Sequence, residues 1–291
     1  MTMKQFCLSA WVALTLALPC VAPAAEAIAM PERGISAHRG ASTTHPENTL
    51  AAFREALRHG VHQIEFDIRM TRDGHIVLMH DATVGRTTDG EGRVTDLTLK
   101  QMRALDAGAW KGARFAGERV PTLEETLAMM PLNVWLNVHT YGDAELAEAA
   151  TREIIRQGRT HQAFLAIGHQ GADAARRVYP DILICNMQRR GADVPRYAAE
   201  TIERGDAFIQ ILRRQGIDWP DEIRRLKEAG VRINYCCTND PGALEALFDA
   251  GIDFPLVDDV GPMIDAARRL DVEPWKPVYR PSRANGRRTG P

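Results

Sequence analysis

Along the chain, short runs of β-branched and other apolar residues alternate with longer stretches whose apolar positions recur every three or four residues. The first pattern is that of buried strands and the second that of helices packed on one face. Their alternation marks parallel βα units, not a sandwich or a bundle. Eight strands are predicted, at residues 35–38, 62–70, 133–139, 163–167, 182–186, 207–212, 231–236 and 254–257. Between them lie helices such as 48–59, with Leu50, Phe53 and Leu57 on one face, Asn48 as the N-cap and Gly60 just beyond the end. Eight parallel strands with intervening helices predict an α/β fold, a TIM-type (β/α)8 barrel whose chemistry sits at the C-terminal ends of its strands.

The two ends of the chain depart from this pattern. Lys4, an apolar run over residues 6–21 and the small residues Ala22-Pro23-Ala24 read as a signal peptide over residues 1–27. The run is too short to span a bilayer, and Pro19 argues against a lipoprotein site at Cys20, so a periplasmic or secreted product is expected. No later segment is apolar for long enough to act as a transmembrane anchor. Roughly 265 residues remain, one barrel's worth, with the barrel domain assigned to 28–275. Residues 276–291 are rich in Arg, Pro and Gly without apolar periodicity and read as a basic, disordered, solvated tail. Residues 81–121 are long for a βα connection and read as a small insertion, after the second strand and its hairpin extension, standing over the active-site end.

Composition narrows the partners. Lys+Arg 36 against Asp+Glu 38 gives a formal net charge of -2, which excludes the general basic field of a nucleic-acid binder. Any anion must be met locally. Of the five cysteines, Cys7 and Cys20 leave with the leader. For Cys185, Cys236 and Cys237 two readings stay open: a bridge from Cys185 to one of the vicinal pair, or three small apolar side chains buried in strands.

The second strand carries the first chemistry. In Ile64-Glu65-Phe66-Asp67-Ile68, the two-residue period puts the apolar residues on the face that meets the helices and both carboxylates on the barrel side. Buried carboxylates need a counter-charge. An Arg partner would make them structural, and a hard divalent cation would make them a metal site. Asp73-Gly74 is a turn signal, so residues 75–80 are expected to run back as a hairpin, with Arg72 opposite His75 and His80 opposite Asp67. His38 ends the adjacent first strand. Two strand-end histidines therefore flank two inward carboxylates. Cleavage of a phosphodiester needs a base, an acid and positive charge on the phosphoryl oxygens, and this set supplies all three. Arg39 can fork onto the phosphate.

These residues fall within a longer ordered series: His38-Arg39-Gly40-Ala41-Ser42, Pro46-Glu47-Asn48-Thr49, Glu65-x-Asp67, Thr71-x-Asp73-Gly74, His80-Asp81, Arg86-Thr87-Thr88, Leu105-Asp106-Ala107-Gly108 and Pro121-Thr122-Leu123-Glu124-Glu125. The series resembles the signature of the glycerophosphodiester phosphodiesterase family. The resemblance implies His38 and His80 as general acid and base, Arg39 on the phosphate, and Glu65 and Asp67 as ligands of one divalent cation, commonly Ca²⁺ or Mg²⁺. It also implies a small-molecule phosphodiester substrate, cleaved to glycerol phosphate and an alcohol.

The later chain departs from the family pattern. A third carboxylate ligand and a lysine would fall in the strand that here reads Leu136-Asn137-Val138-His139-Thr140-Tyr141, so His139 replaces the glutamate and Tyr141 the lysine. His139 is retained as the third ligand, and its nitrogen suits Mn²⁺ or Zn²⁺ better than Ca²⁺. The aromatic wall for the alcohol is replaced by Tyr235-Cys236-Cys237, with Cys236 at its place. His169 and His45 read first as solvated loop histidines that could also meet substrate, and Trp110 and Phe115 as either a lid surface or plain packing within the insertion. Two other functions are carried: a lyase-like reaction that stops at a cyclic phosphate, and a non-hydrolytic phosphodiester-binding protein.

Overall fold

The structure is a computed structural model that describes residues 28–188 and 193–280; the expected leader and residues 281–291 of the expected tail lie outside the described residues. Eight strands form a parallel barrel: β1 (Ser36–His38), β2 (Gln63–Met70), β4 (Trp135–Thr140), β5 (Ala163–Ile167), β6 (Leu183–Asn186), β7 (Phe208–Leu212), β8 (Arg232–Cys236) and β9 (Phe254–Val257). Pairing of β1 with both β2 and β9 closes it. The remaining strand, β3 (Ile76–Leu78), runs antiparallel on the end of β2. Around the barrel lie α1 (Leu50–His59), α3 (Leu123–Met129), α4 (Ala144–Arg156), α5 (His169–Val178), α6 (Val194–Glu203), α7 (Pro220–Glu228), α8 (Leu244–Asp249) and α9 (Val260–Arg268), with the short α2 (Leu99–Met102) in the insertion. The expected TIM-type barrel is the fold. No helix of the described residues is long and apolar enough to cross a membrane.

The alternation within each strand divides the barrel chemically. Outward residues such as Ile64, Phe66, Ile68, Leu136 and Val138 build the main core against the helices. Inward residues at the N-terminal end form an aromatic plug of Trp135, Phe164, Phe208 and Phe254, in which the Phe164 and Phe208 rings stack 3.8 Å apart. Above the plug the inward residues turn polar, with Gln63 reaching Asn234 across the barrel at 3.3 Å. The plug closes one end, so the polar residues face the other.

Four expectations need correction. The hairpin register is one residue away from that expected: Ile68 pairs with Leu78 and Met70 with Ile76, which sets Met79, not His80, opposite Asp67. The cause is the loop. Thr71 N–H donates to His75 O, enclosing three residues with Gly74 at φ 79°, where a two-residue turn was expected. The N-cap of α1 is Thr49, whose side chain accepts from Ala52 N, while Asn48 takes a left-handed φ of 57° and turns its amide inward. The bridge is Cys236–Cys237, and Cys185, buried in β6, takes no part in it, so neither expected cysteine arrangement occurs. Lastly, the beginning of the expected disordered tail is fastened down. Asn133 donates to Lys276 O and accepts from Val278 N, and Leu132 N–H donates to Val278 O.

The insertion packs its own small core of Val84, Val94, Met102, Ala107 and Val120 against Val77 and Met79 of the hairpin arm. Its Lys111 and Arg114 donate to Ser42 O and Thr44 O in the first βα loop. It therefore braces the loop that carries Arg39 and Asn48.

Candidate active site

Three side chains converge at the C-terminal end of β2 and β4. Parallel pairing sets Asp67 beside His139, and the two-residue period sends Glu65, Asp67, Asn137 and His139 inward together. One atom each from Glu65, Asp67 and His139 falls within a cluster in which all lie within 4.8 Å of one another. His139 Nδ1 stands 3.2 Å from Asp67 Oδ1 and 3.6 Å from Glu65 Oε1. Both carboxylates are buried, Asp67 completely. Burial would raise the Asp67 pKa, but His139, Arg39 and the Asn48 hydrogen bond outweigh it and hold the carboxyl below its usual range. Burial likewise works against a charged His139, and the adjoining Asp67 and Glu65 carboxylates reverse this and raise its pKa.

The fit to a divalent cation rests on the donor set and on one orphaned atom. Asp67 Oδ2 accepts from Asn48 Nδ2 at 2.8 Å, and Asp67 N–H donates back to Asn48 Oδ1 at 3.0 Å. Asp67 Oδ1 is buried without a hydrogen bond. Two carboxylates and an imidazole that share one space, with a carboxylate oxygen left over, are a ligand set for a borderline divalent ion.

The two candidate acid/base histidines flank this cluster. His38 pairs in register with Glu65, and its Nδ1–H donates to Asp258 Oδ1 at 2.8 Å. Burial works against a charged ring, while Asp258 and Glu65 act the other way and raise the His38 pKa on balance. His80 lies on the opposite side: its Nδ1–H donates to Asp81 Oδ1 at 2.6 Å, and Tyr141 O–H meets its Nε2 at 3.2 Å. The Tyr141 ring in turn lies 4.2 Å from that of His139. Because a carboxylate only accepts, each ring carries its proton on Nδ1 when neutral, which leaves Nε2 as the acceptor atom; that of His80 accepts from Tyr141 O–H.

Arg39 occupies a more constrained place than expected. Its backbone N–H donates to Glu65 Oε2, its guanidinium donates to Glu47 at 2.9 Å, and its Nε stands 3.3 Å from Asp67 Oδ2. Glu47 is shared with Arg86, which also grips Asp81, so one ion-pair chain links Arg39 to the carboxylate behind His80. The sequence reading assigned no place in the site to Asp258, Asp81, Glu47 or Arg69, and offered Asn48 only as a helix cap. Arg69 was discoverable, since it continues the inward series Glu65, Asp67, Arg69. Its guanidinium lies 4.6 Å from the Tyr141 ring centroid and donates to His80 O. The contacts of Asp258 and Asn48 were not, because each meets a partner on a neighbouring strand that is distant in the chain.

The remaining candidates scatter. His169 begins α5, at the same barrel end as the site, and His45 packs on Phe115 with ring centroids 4.9 Å apart. Trp110 is partly exposed and donates to Ala107 O within the insertion. None of the four joins the cluster of Glu65, Asp67 and His139.

Comparison with known proteins places this arrangement. The profile of the Glycerophosphoryl diester phosphodiesterase family matches residues 38–140, the span that carries both histidines and all three cluster residues. A glycerophosphodiester phosphodiesterase of Caldanaerobacter subterraneus subsp. tengcongensis is 30% identical over 244 residues, covering 81% of this chain and 98% of that protein. The chain belongs to the glycerophosphodiester phosphodiesterase family. The mouse glycerophosphodiester phosphodiesterase 1 is 47% identical over 121 residues, 40% of this chain and 37% of that protein. The crystal structure of a glycerophosphodiester phosphodiesterase from Agrobacterium tumefaciens superposes with a TM-score of 0.70 at 27% identity, over 81% of this chain and 99% of that one. As a member of this family the chain is a phosphoric diester hydrolase. The positions where the sequence reads as departing from the family pattern lie at the mouth: His139 in the ligand cluster, Tyr141 beside it, and the half-buried Cys236–Cys237 disulfide at the end of β8. Tyr235 points away into the core between barrel and helices, so Cys236 is the inward residue of that strand end.

Proposed function

We propose that this phosphodiesterase hydrolyses glycerophosphodiesters to glycerol phosphate and an alcohol, with His38 and His80 moving the protons and a divalent cation at Glu65, Asp67 and His139. The observation that carries the reading is the pair of imidazoles, each backed through Nδ1 by its own carboxylate, on either side of that cluster. Asp258 and Asp81 fix ring orientation and tautomer, so the reacting atoms are the two Nε2 positions. One Nε2 takes the proton of the attacking hydroxyl and the other returns a proton to the departing alkoxide. A bound cation would supply positive charge for the phosphoryl oxygens. Arg69 supports the same reading, because it brings a guanidinium beside Tyr141, where the family pattern has a lysine.

A second reading is favoured by the position of His139. Its imidazolium, held between two carboxylates and with a raised pKa, can itself serve as the cation of the cluster. One experiment separates the two. Turnover of a glycerophosphodiester panel is measured on the chelated protein and after each of Mg²⁺, Ca²⁺, Mn²⁺ and Zn²⁺ is restored. Loss on chelation with recovery on Mn²⁺ or Zn²⁺ is expected; full turnover after chelation supports the imidazolium instead. No turnover under any condition overturns the assignment, and a cyclic phosphate as the final product, seen by phosphorus NMR, replaces hydrolysis with a lyase reaction.

Export is part of the same proposal. Its supports are the leader pattern over residues 1–27 and the Cys236–Cys237 disulfide, a kind of bond that persists in oxidising compartments. The barrel then runs as one domain over 28–275.

A further inference from the structure

Cys236 and Cys237 carry no step of the proposed phosphodiester chemistry, yet they stand beside the His38 ring. One ligand atom each from His38, Cys236 and Cys237 lies within a cluster in which all are within 4.8 Å of one another, and all three residues are half-buried at the open end of the barrel. The two sulfurs are joined as a disulfide in this structure. A disulfide has no thiolate to offer a metal, whereas its reduced form has two. His38 is already arranged as a metal-binding imidazole: Nδ1–H is held by Asp258 at 2.8 Å, which leaves the Nε2 lone pair free, and Asp258 is itself held by Ser42 Oγ and Asn239 Nδ2. A carboxylate behind the imidazole raises its basicity and fixes its direction.

We propose that the reduced Cys236/Cys237 pair, together with His38, is a binding site for a thiophilic divalent ion of the Zn²⁺ or Cd²⁺ class, distinct from the Glu65, Asp67 and His139 cluster. The site opens by reaction with a dithiol reductant. A reductant thiolate attacks one sulfur, the S–S bond breaks to give a mixed disulfide and one cysteine thiolate, and the second reductant thiol displaces the other cysteine. Two electrons and two protons pass to the protein, and the reductant leaves as its own disulfide. Binding the ion then replaces two S–H protons by two metal–sulfur bonds, with His38 Nε2 as third ligand and solvent as fourth. Occupancy takes the His38 lone pair out of proton transfer, so the same event that captures the ion stops turnover.

The test is a Cd²⁺ titration of the full mature chain, oxidised or reduced with dithiothreitol and freed of it under anaerobic conditions. The readout is the thiolate-to-cadmium charge-transfer band in the ultraviolet, which oxygen ligands do not produce. The reduced protein is expected to give a two-thiolate band that saturates at one ion per chain, and the oxidised protein none. Glu65→Gln/Asp67→Asn must keep the band, which separates this site from the carboxylate cluster and from the fate of the proposed reaction. His38→Gln should weaken the apparent affinity about tenfold or more. Cys236→Ser/Cys237→Ser, which retains Cys185, should show no band; alkylation of the reduced wild type mapped to the two cysteines gives the same control without a variant. No band in the reduced protein, a band that survives loss or alkylation of both cysteines, or an affinity unchanged in His38→Gln overturns the proposal.

Discussion

Asp258→Asn is the most discriminating single perturbation of the catalytic reading, because the surroundings dictate how the new amide must sit. Asn239 Oδ1 accepts from the backbone N–H groups of Asp258 and Asp259 at 2.7 and 3.0 Å, so its Nδ2 is committed to face Asp258 Oδ2 at 3.1 Å. Only an oxygen is tolerated opposite that donor. The new amide therefore turns its NH2 towards His38 Nδ1 and Ser42 Oγ, where the carboxylate now accepts at 2.8 and 3.0 Å. Facing a donor, Nδ1 must give up its proton, and the neutral ring carries it on Nε2 instead. Loss of the charge-assisted bond alone is worth about 1.5–3 kcal/mol, and the 37% exposure of Asp258 keeps it near the lower end. Inverting the tautomer adds a larger penalty, so kcat/KM is expected to fall by roughly 10³–10⁴. The pH profile carries a second signature. Asp258 helps to raise the His38 pKa against burial, so its removal leaves burial to lower it, and the limb governed by His38 moves to lower pH. A kcat/KM within about threefold of the parent, or an unmoved limb, refutes the role given to both residues.

Three further outcomes follow from the geometry. His62 is buried at the closed end, accepting at Nδ1 from Ile35 N–H and donating from Nε2 to Glu273 O, and burial lowers its pKa from 6.5 to about 4. The unfolded chain therefore takes up that proton first as pH falls. The stability contributed is fully present above about pH 6.5 and lost down to about pH 4, some 3 kcal/mol in all; urea unfolding across this window should show it, and an equal slope in His62→Gln would contradict it. Asn48→Ala removes both bonds to buried Asp67 and places alanine at φ 57°, so a loss of about 2–4 kcal/mol and a Tm lower by roughly 4–12 °C are expected. If Asn48→Gly, which relieves only the backbone, restored the Tm, the side-chain clamp would be unnecessary. Arg69→Met should lower kcat about 10²-fold with little change in circular dichroism, and an unchanged kcat would leave the site without its replacement cation.

The sequence by itself determined whatever depends on spacing along one strand or helix. Alternation in Ile64-Glu65-Phe66-Asp67-Ile68 is enough to send two carboxylates inward, because a strand has a fixed period and one face must be covered by helices. Eight such runs separated by helical patterns left a closed parallel barrel as the simplest fold, and ordered motifs through residue 125 pointed to the family. Its place in the family pattern put His139 with these carboxylates, and the register of β2 with β4 sets it beside Asp67.

Tertiary structure alone decided the contacts between residues far apart in the chain. Asp258 reaches His38 only because β9 closes the barrel onto β1, and nothing local to either residue announces the other. The hairpin register turned on whether Asp73-Gly74 forms a two-residue turn or ends a three-residue loop, a choice of backbone geometry that the same letters permit. Asn48 looked like a helix cap because its type suits one, yet the left-handed backbone at that position directs its amide to a carboxylate from another strand, and Thr49 caps instead. The cysteines show the limit most plainly. Their number and spacing allow several pairings, and only the path of the chain at the end of β8 joins Cys236 to Cys237 beside His38.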